Sequence, residues 1–392
     1  MVLRLLHLCM IMLAYLVAAG YVLYRLKQTF TNKGRWFKAA CWLCAPMTVL
    51  FILVLFLRLF NLGSWFLPFQ TVAYLWLTAV MYAALFAVAF DALRLLAYLI
   101  KPLRKRVLPF LNSARPCYAL VSVLCVIGLL GYGLYHFTQP KVVDLTVEVD
   151  KPVPDLNIVV VSDLHLGTMS AERLLMHVDT INALQPDMVL MLGDQFVINW
   201  RDVVPMGYAK AFRKLRAPMG VYAVNGNHEG YHEFSRSTDP RVGQLYRYLR
   251  VNLLNDTAVV VDGKLALIGR ADSSRLYARK SLPEIMENVP DGLPTILMDH
   301  QPADLGQAKA CDVDLQLSGH MHNGQFFPMN LYQGFKSLFN KKLYYGYRQD
   351  GGTQYYVTAG LGSSGAPMRI GTDVEITVVH LKQKTHRESP VR

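Results

Sequence analysis

The feature that most limits the fold of this chain is a series of long apolar stretches near its start. They run over residues 3–26, 39–60, 71–100 and 117–137. Each has the roughly 20 apolar residues that a helix needs to cross a bilayer. A soluble four-helix bundle would need polar faces at the helical period, and these stretches lack them. We therefore expect an all-α transmembrane domain over residues 1–140, with the first span retained rather than removed as a signal peptide.

Positive charge is concentrated in two of the loops between these stretches. Arg25, Lys27, Lys33, Arg35 and Lys38 follow the first stretch, and Lys101, Arg104, Lys105, Arg106 and Arg115 follow the third. The loop over residues 61–70 has no charge. Because loops rich in Lys and Arg stay on the cytoplasmic side, the first and third loops are predicted to be cytoplasmic. For four spans, this orientation predicts a multi-pass cell-membrane protein whose remaining residues are extracytoplasmic.

The basic composition belongs mostly to this membrane part. The formal net charge is +12, and residues 1–150 hold 14 Lys+Arg against 4 Asp+Glu. The excess indicates membrane topology and anionic lipid headgroups more than a nucleic-acid surface. Nucleic acid is therefore not an expected partner. Of the six cysteines, only Cys311 lies beyond the apolar stretches, so no disulfide framework is expected there.

Beyond residue 155, several polar motifs each follow a short apolar run. The runs cover residues 156–161, 187–192, 221–224, 296–298 and 315–317, and the motifs after them contain, in order, Asp163 and His165, Asp194, Asn227 and His228, His300, and His320 and His322. Each motif is therefore predicted to lie where a buried strand gives way to a loop. Carboxylate, amide and imidazole ligands without thiolates suit Mn, Fe or Zn.

The number of these polar residues is sufficient for two metal ions. A carboxylate at Asp194 can bridge two ions. Ions about 3.5 to 4 Å apart can clamp the attacking and leaving oxygens of an in-line displacement at phosphorus. The pattern therefore indicates a two-metal site for phosphoester chemistry.

Taken together, the motifs resemble the five signature blocks of the calcineurin-like metallophosphoesterases, in the membrane-associated bacterial branch. The resemblance covers about residues 156–381 and implies a four-layer αββα sandwich with metals at the strand ends. The implied metal ligands are Asp163, His165 and His322 for one ion, Asn227, His300 and His320 for the other, and Asp194 as the bridge. The resemblance also implies that Asn227 contacts substrate and that His228 stands beside the phosphate as general acid. A hydroxide bridging the metals would be the nucleophile.

The chain departs from many members of this superfamily after the Gly193-Asp194 block. Those members place a second acidic residue there, whereas residues 195–199 contain none. This departure weakens an assignment as a protein Ser/Thr phosphatase. It leaves the metal pair unaffected, because the second acid mostly supports the ligands from outside.

Two further stretches bear on the substrate, and each has an alternative interpretation. Residues 325–351 interleave aromatic and basic side chains, so they could rest among lipid headgroups or form an ordinary flap packed on the domain. Residues 360–369 form a glycine-rich segment that could bring backbone N–H groups and Arg369 near a phosphate, or could be a simple turn.

The predicted organisation is a transmembrane domain, a linker or edge strand over residues 141–155, an α/β domain over 156–381 and a polar tail over 382–392. The predicted function is that of a membrane-anchored dinuclear phosphoesterase. It would hydrolyse a phosphodiester, phosphomonoester or pyrophosphate bond in an envelope or lipid-linked substrate. One alternative is a phosphodiesterase for soluble nucleotides or polymer fragments, with the spans as a tether. Another is a non-catalytic metal-bound sensor or transport accessory protein.

Overall fold

The structure is a computed structural model that describes residues 2–30, 34–59, 64–231, 240–273, 279–340 and 342–385. The chain divides into two compact units, Met1–Leu134 and Tyr135–Arg392. The described part of the first unit is helical, and the second mixes strands and helices. This arrangement confirms the predicted fold class, an apolar helical region followed by an α/β domain.

The helices of the membrane region are α1 (Val2–Thr29), α2 (Gly34–Leu59), α3 (Leu67–Leu99), α4 (Lys101–Ser113) and α5 (Arg115–His136). Four of them contain segments that are long and apolar enough to cross a membrane, namely Leu8–Thr29, Phe37–Leu57, Leu67–Leu99 and Arg115–His136. The remaining helix, α4, lies in the basic third loop and buries none of its residues. Pro102 in its first turn is compatible with a helix start, because the missing N–H would have no partner there anyway.

Side chains with polar tips tie the membrane helices together internally. The Tyr15 ring packs 4.9 Å from the Phe51 ring, and its hydroxyl lies 2.6 Å from the Thr48 hydroxyl. Asp91 forms an ion pair with Arg25 at 2.6 Å. These two opposite charges within the spans are therefore paired with each other, as expected where water is scarce.

The strands of the second unit are β1 (Pro140–Val149), β2 (Leu156–Val161), β3 (Met188–Met191), β4 (Val221–Ala223), β5 (Asn252–Leu253), β6 (Thr257–Val261), β7 (Leu265–Gly269), β8 (Thr295–Met298), β9 (Leu315–Ser318), β10 (Gly346–Asp350), β11 (Thr353–Val357) and β12 (Val374–Gln383). Its helices are α6 (Ala171–Ala183), α7 (Tyr208–Phe212), α8 (Asn227–Tyr231), α9 (Pro240–Leu249), α10 (Leu282–Met286), α11 (Leu305–Ala310) and α12 (Met329–Asn340). Short 3-10 turns cover Trp200–Asp202 and His322–Gly324.

The strands form two six-stranded sheets, with the orders β1-β12-β2-β3-β4-β5 and β10-β11-β9-β8-β7-β6. Strands β2 to β5 are parallel, as are β7, β8, β9 and β11. In each sheet the carboxyl ends of the parallel strands therefore meet at one edge, where α/β proteins commonly place their sites.

The two sheets face each other across a shared apolar core. Val160 and Leu190 of the first sheet lie in the same buried cluster as Leu267 and Leu317 of the second. On its other side the second sheet packs against α10 and α11, with Ile285 in that separate cluster. Opposed sheets with outer helices account for the predicted layers.

Residues 140–149, which overlap the segment expected to be a linker or edge strand, form the edge strand β1. It pairs in parallel with β12 over its whole length, from Pro140 opposite Val374 to Val149 opposite Gln383. Val147 and Val149 are buried, which accounts for the pairing. Pro140 stands at the first position of an edge strand, where its missing N–H does not interrupt the sheet.

Candidate metal centre

The predicted ligands meet at the carboxyl ends of five strands drawn from both sheets. Asp163 follows β2, Asp194 follows β3, Asn227 follows β4, His300 follows β8 and His320 follows β9. His165 and His322 lie two residues beyond the first and last of these. All of them are buried except His320, which is partly exposed. Buried ionisable groups in such number require partners or a cation.

The loops that carry these residues are backbone-strained. Asp163, His165, Asp194, His320 and His322 all have positive φ, between 47° and 69°. This left-handed conformation costs a non-glycine residue roughly 1 to 2 kcal/mol, and it recurs at functional sites. The surrounding contacts therefore hold the ligand-bearing loops in a conformation that the isolated chain would avoid.

The first cluster contains Asp163, His165 and His322, whose ligand atoms lie within 4.8 Å of one another. The two histidine Nε2 atoms are 3.0 Å apart, and Asp163 Oδ1 is 3.4 Å from His322 Nε2. Asp163 Oδ1 is buried without a hydrogen-bond partner. Two nitrogens that share one ion at about 2.0 to 2.1 Å lie about 3.0 to 3.4 Å apart. These three side chains therefore fit one divalent cation.

The second cluster contains Asp194, His300 and His320. His300 Nε2 is 3.3 Å from Asp194 Oδ2 and 3.2 Å from Asn227 Oδ1. His300 Nδ1–H donates to the carbonyl of Leu192 at 2.7 Å, which leaves Nε2 for the site. A histidine held by its other ring nitrogen is the usual arrangement for a metal ligand.

Asp194 belongs to both sides of the centre. Its Oδ2 is 3.3 Å from His300 Nε2 of the second cluster and 3.9 Å from His165 Nε2 of the first. Asp194 also forms a group within 4.8 Å with His165 and His228. The carboxylate therefore lies between the two clusters, where a bridging ligand would have to be.

Burial and the neighbouring charges bring these groups to states suited to a cation. Burial lowers the pKa of His165 to about 3 and the pKa of His322 well below its usual range, so both imidazoles are neutral. Burial alone would raise the pKa of Asp194, but His300 lowers it well below the usual value. Burial alone would lower the pKa of His300, but Asp194 raises it well above. A bound cation would replace that His300 proton, because metal ligands must be deprotonated.

His228 is positioned by the same carboxylate but is more open to solvent. Its backbone N–H donates to Asp194 Oδ1 at 2.8 Å, and its Nε2 lies 3.9 Å from Asp194 Oδ2. Its ring meets the His165 ring edge to face at 4.7 Å. The side chain is 16% exposed, against 1% for His165. His228 is thus within reach of both the clusters and a molecule entering from solvent.

Glu229 has a structural role that sequence reasoning missed, although this residue belongs to the Gly226-Asn-His-Glu motif. The side chain is fully buried and accepts three backbone hydrogen bonds, from Asp194 at 2.9 Å, Gly226 at 2.7 Å and Phe196 at 2.8 Å. Burial, followed by the Asp194 charge, raises the pKa of Glu229 to about 8. This carboxyl group ties the loop after β3 to the loop after β4.

Arg369 differs from its predicted role as a phosphate contact. It is fully buried, and its guanidinium donates to the carbonyls of Ala359, Gly362 and His322, each at 2.7 Å. These carbonyl oxygens surround the guanidinium, so it is not available to a substrate phosphate. Arg369 therefore holds the backbone that carries His322, and the geometry does not support a contact with substrate.

A family profile and three relatives bear on the identity of the second unit. A profile of the calcineurin-like phosphoesterases matches residues 156–324. An uncharacterized metallophosphoesterase of Helicobacter pylori is 31% identical over 267 residues, which cover 66% of this chain and 69% of the relative. A Bos taurus "transmembrane protein with metallophosphoesterase domain" is 31% identical, with 69% and 63% covered. The uncharacterized metallophosphoesterase YkuE of Bacillus subtilis is 29% identical, with 64% and 90% covered.

Proposed function

The chain belongs to the calcineurin-like metallophosphoesterase family, and on this premise we propose that its second unit binds two divalent ions and hydrolyses a phosphoester bond. The catalytic part would comprise residues 156–381 together with the edge strand β1. The ions would be Mn, Fe or Zn, all of which accept oxygen and imidazole ligands. The bond would be a phosphodiester, a phosphomonoester or a pyrophosphate.

The observation that carries this proposal is the position of Asp194 between two clusters of buried ligands. Each cluster supplies at least two imidazole nitrogens within 4.8 Å of a carboxylate oxygen. A purely structural network would satisfy its buried acids with hydrogen bonds, whereas Asp163 Oδ1 has none. Two sites joined by one carboxylate suit displacement at phosphorus.

The chain's own residues have distinct parts in the proposed reaction. Bound divalent ions would supply an activated water and positive charge at the phosphoryl oxygens. Asn227 Oδ1 lies 3.2 Å from His300 Nε2, and the Asn227 amide nitrogen would donate to a substrate oxygen. His228, the more exposed imidazole, would give a proton to the leaving oxygen. Arg369 and Glu229 would keep the loops in place without touching the substrate.

The membrane helices support a substrate at or in the cell envelope. Four helices are long and apolar enough to cross a membrane, and some relatives carry "transmembrane" in their names. We assign the protein to the cell membrane with the second unit extracytoplasmic, from the charge of the loops. A lipid-linked phosphoester is the substrate class that this placement favours.

Hydrolysis of bis(p-nitrophenyl) phosphate by the full-length protein in detergent tests the proposal. We expect nitrophenol release after loading with Mn, none after metal removal, and none from Asp194→Ala. Asp179→Ala, on the exposed side of α6, serves as the matched control and should match the wild type. Release that persists in Asp194→Ala, or two bound ions without turnover of any phosphoester tested, would contradict the proposal.

A further inference from the structure

The helix α12, just beyond the metal centre, turns its polar side toward the domain. Asn330 Nδ2 donates to the carbonyl of Gly371 at 2.9 Å, and Gln333 Nε2 donates to the carbonyl of Met321 at 3.4 Å. Ser337 Oγ donates to the carbonyl of Lys342 at 2.6 Å. These inward residues are less exposed than their neighbours. The helix is therefore attached to the domain through hydrogen bonds.

The opposite face of α12 is apolar and points into solvent. Its members are Met329, Leu331, Tyr332, Phe335, Leu338 and Phe339, each between 50% and 80% exposed. The Phe335 and Phe339 rings pack on each other at 4.5 Å, so the face is continuous. A helix on a water-soluble surface has the reverse arrangement, with its apolar side inward. Exposed apolar patches of this kind mark interaction surfaces.

The composition of this face identifies a bilayer as its occupant. The Lys336 ammonium lies 5.4 Å from the centre of the Tyr332 ring and 6.0 Å from that of Tyr344, and Lys342 is exposed nearby. Aromatic and aliphatic side chains bordered by lysines are typical of helices that lie in the headgroup region. Lysines there gain attraction from anionic lipids. The same chain carries four helices that are long and apolar enough to cross a membrane, which favours a bilayer over another protein as the occupant of this face.

The helix is connected directly to the loop that carries two predicted ligands. Met321, whose carbonyl accepts from Gln333, stands between His320 and His322. The 3-10 turn over His322–Gly324 follows, and α12 begins at Met329. A membrane surface that binds α12 would therefore also keep the loop with His320 and His322 close to that surface.

We propose that α12 docks its aromatic face into the headgroup region of an anionic bilayer and so presents the metal centre to phosphoesters carried by lipids. The docking itself stands on the geometry of α12. The consequence for substrate rests on the proposed phosphoesterase function. Two measurements separate these parts.

Photo-cross-linking tests the docking without any need for activity. The full-length protein, with p-benzoylphenylalanine in place of Leu338, is placed in nanodiscs that contain phosphatidylglycerol and is then irradiated. Intact mass should show a lipid adduct at position 338. The same probe at Met176, an apolar position on α6 that is 67% exposed against 80% for Leu338, should give none, and at Leu53 in α2 it should give one. A cross-linked dimer at 338, no adduct at 338, or equal adducts at 338 and 176 would each overturn the proposal.

Turnover of two matched substrates tests the consequence. Hexadecyl p-nitrophenyl phosphate is presented in the nanodisc, and bis(p-nitrophenyl) phosphate is presented in solution, so both release the same leaving group. The ratio of lipid-borne to soluble turnover should fall at least ten-fold in Phe335→Glu/Leu338→Glu and stay at the wild-type value in Met176→Glu. An unchanged ratio in the double variant would refute delivery by α12. If the wild type hydrolyses neither substrate, the phosphoesterase function fails while the cross-linking result still judges the docking.

Discussion

For His228, binding of a metal ion and donation of a proton to the leaving group can be distinguished. Its Nε2 is 3.9 Å from Asp194 Oδ2, the same separation as His165 Nε2 shows from that oxygen. Distance alone therefore does not separate it from the ligands. Its side chain is more exposed than that of His165, which suits a proton donor to a leaving group, because such a donor must meet the substrate.

The variant His228→Ala is expected to keep both ions and to lower kcat by about 10²- to 10⁴-fold, the usual contribution of a general acid. The loss should be larger for a substrate with an alkyl leaving group than for one with a nitrophenyl group, since the alkoxide needs the proton more. Metal content and kcat on the two substrates measure this. His380→Ala, a histidine on β12 bonded to Asn157 and Asp144, is the control. Loss of a metal ion in His228→Ala would show that His228 is a metal ligand.

The ends of strands β2 and β9 approach each other closely at Gly319. The backbone N–H of His320 donates to Asp163 Oδ2 at 2.9 Å. A Cβ placed on Gly319 would lie 2.0 Å from Ser162 Oγ and 2.6 Å from Asp163 Oδ2. Only glycine at this position lets the loop after β9 come close enough to the loop after β2 for both to contribute ligands to the first metal cluster. The distance between the two sheets and the geometry of the ligands therefore depend on each other.

The substitution Gly319→Ala should therefore separate the two loops and abolish binding of the ion held by Asp163. Gly306→Ala is a matched control, because a Cβ there meets nothing within 4 Å. Gly306 lies in α11, where alanine is favoured over glycine by about 0.5 to 1 kcal/mol. Metal stoichiometry and melting temperature of both variants test this. Two bound ions in Gly319→Ala would show that the strand ends can move apart without loss of the centre.

Helix α6 contains a buried histidine that links stability to pH. Burial, and then Arg173, lower the pKa of His177 from 6.5 to about 4. Its Nε2 is buried without a hydrogen-bond partner. The unfolded chain takes up this proton at higher pH than the folded chain, so the folded state is fully favoured above pH 6.5 and loses stability as pH falls toward 4.

Replacement of His177 by leucine should flatten this dependence. Between pH 7.5 and pH 5 the wild type is expected to lose on the order of 2 kcal/mol more stability than His177→Leu, from about 1.4 kcal/mol per pH unit below 6.5. Thermal unfolding at the two pH values measures it, with His380→Leu as the surface control. Parallel losses in wild type and His177→Leu would show that His177 does not titrate in this way.

The elements that were predictable from sequence are those with a local signal. The apolar run over residues 156–161 forms β2 with the same bounds. Asp163, which follows this run, lies in the loop after the strand as expected. The helix α4 was not predicted, because its sequence combines four basic residues with two prolines and has no long apolar run. The direction in which the Arg369 side chain points was also not predictable from the sequence. Whether a glycine-rich loop offers N–H groups or carbonyls depends on tertiary contacts such as the bond to His322.

At the scale of the whole molecule, the loop charges make a prediction about sidedness. With four spans and cytoplasmic first and third loops, the second unit is predicted to be extracytoplasmic. Alkaline phosphatase fused after residue 385 should be active in a bacterial host, and green fluorescent protein fused there should be dark. Fusions after Ser113, in the basic α4, should behave in the opposite way. The same sign at both positions would mean that α5 does not cross the membrane.

The position of β12 has a consequence for biosynthesis. This strand lies between β1 and β2, pairing with Thr146 of one and Asn157 of the other through His380. The first two strands of the second unit are therefore not neighbours until the last strand has been made. At about 5 to 20 residues per second, the ribosome needs roughly 10 to 50 s to reach it. During this interval both strands offer unpaired backbone edges, so we expect the nascent domain to be most prone to pairing with other chains before β12 is made.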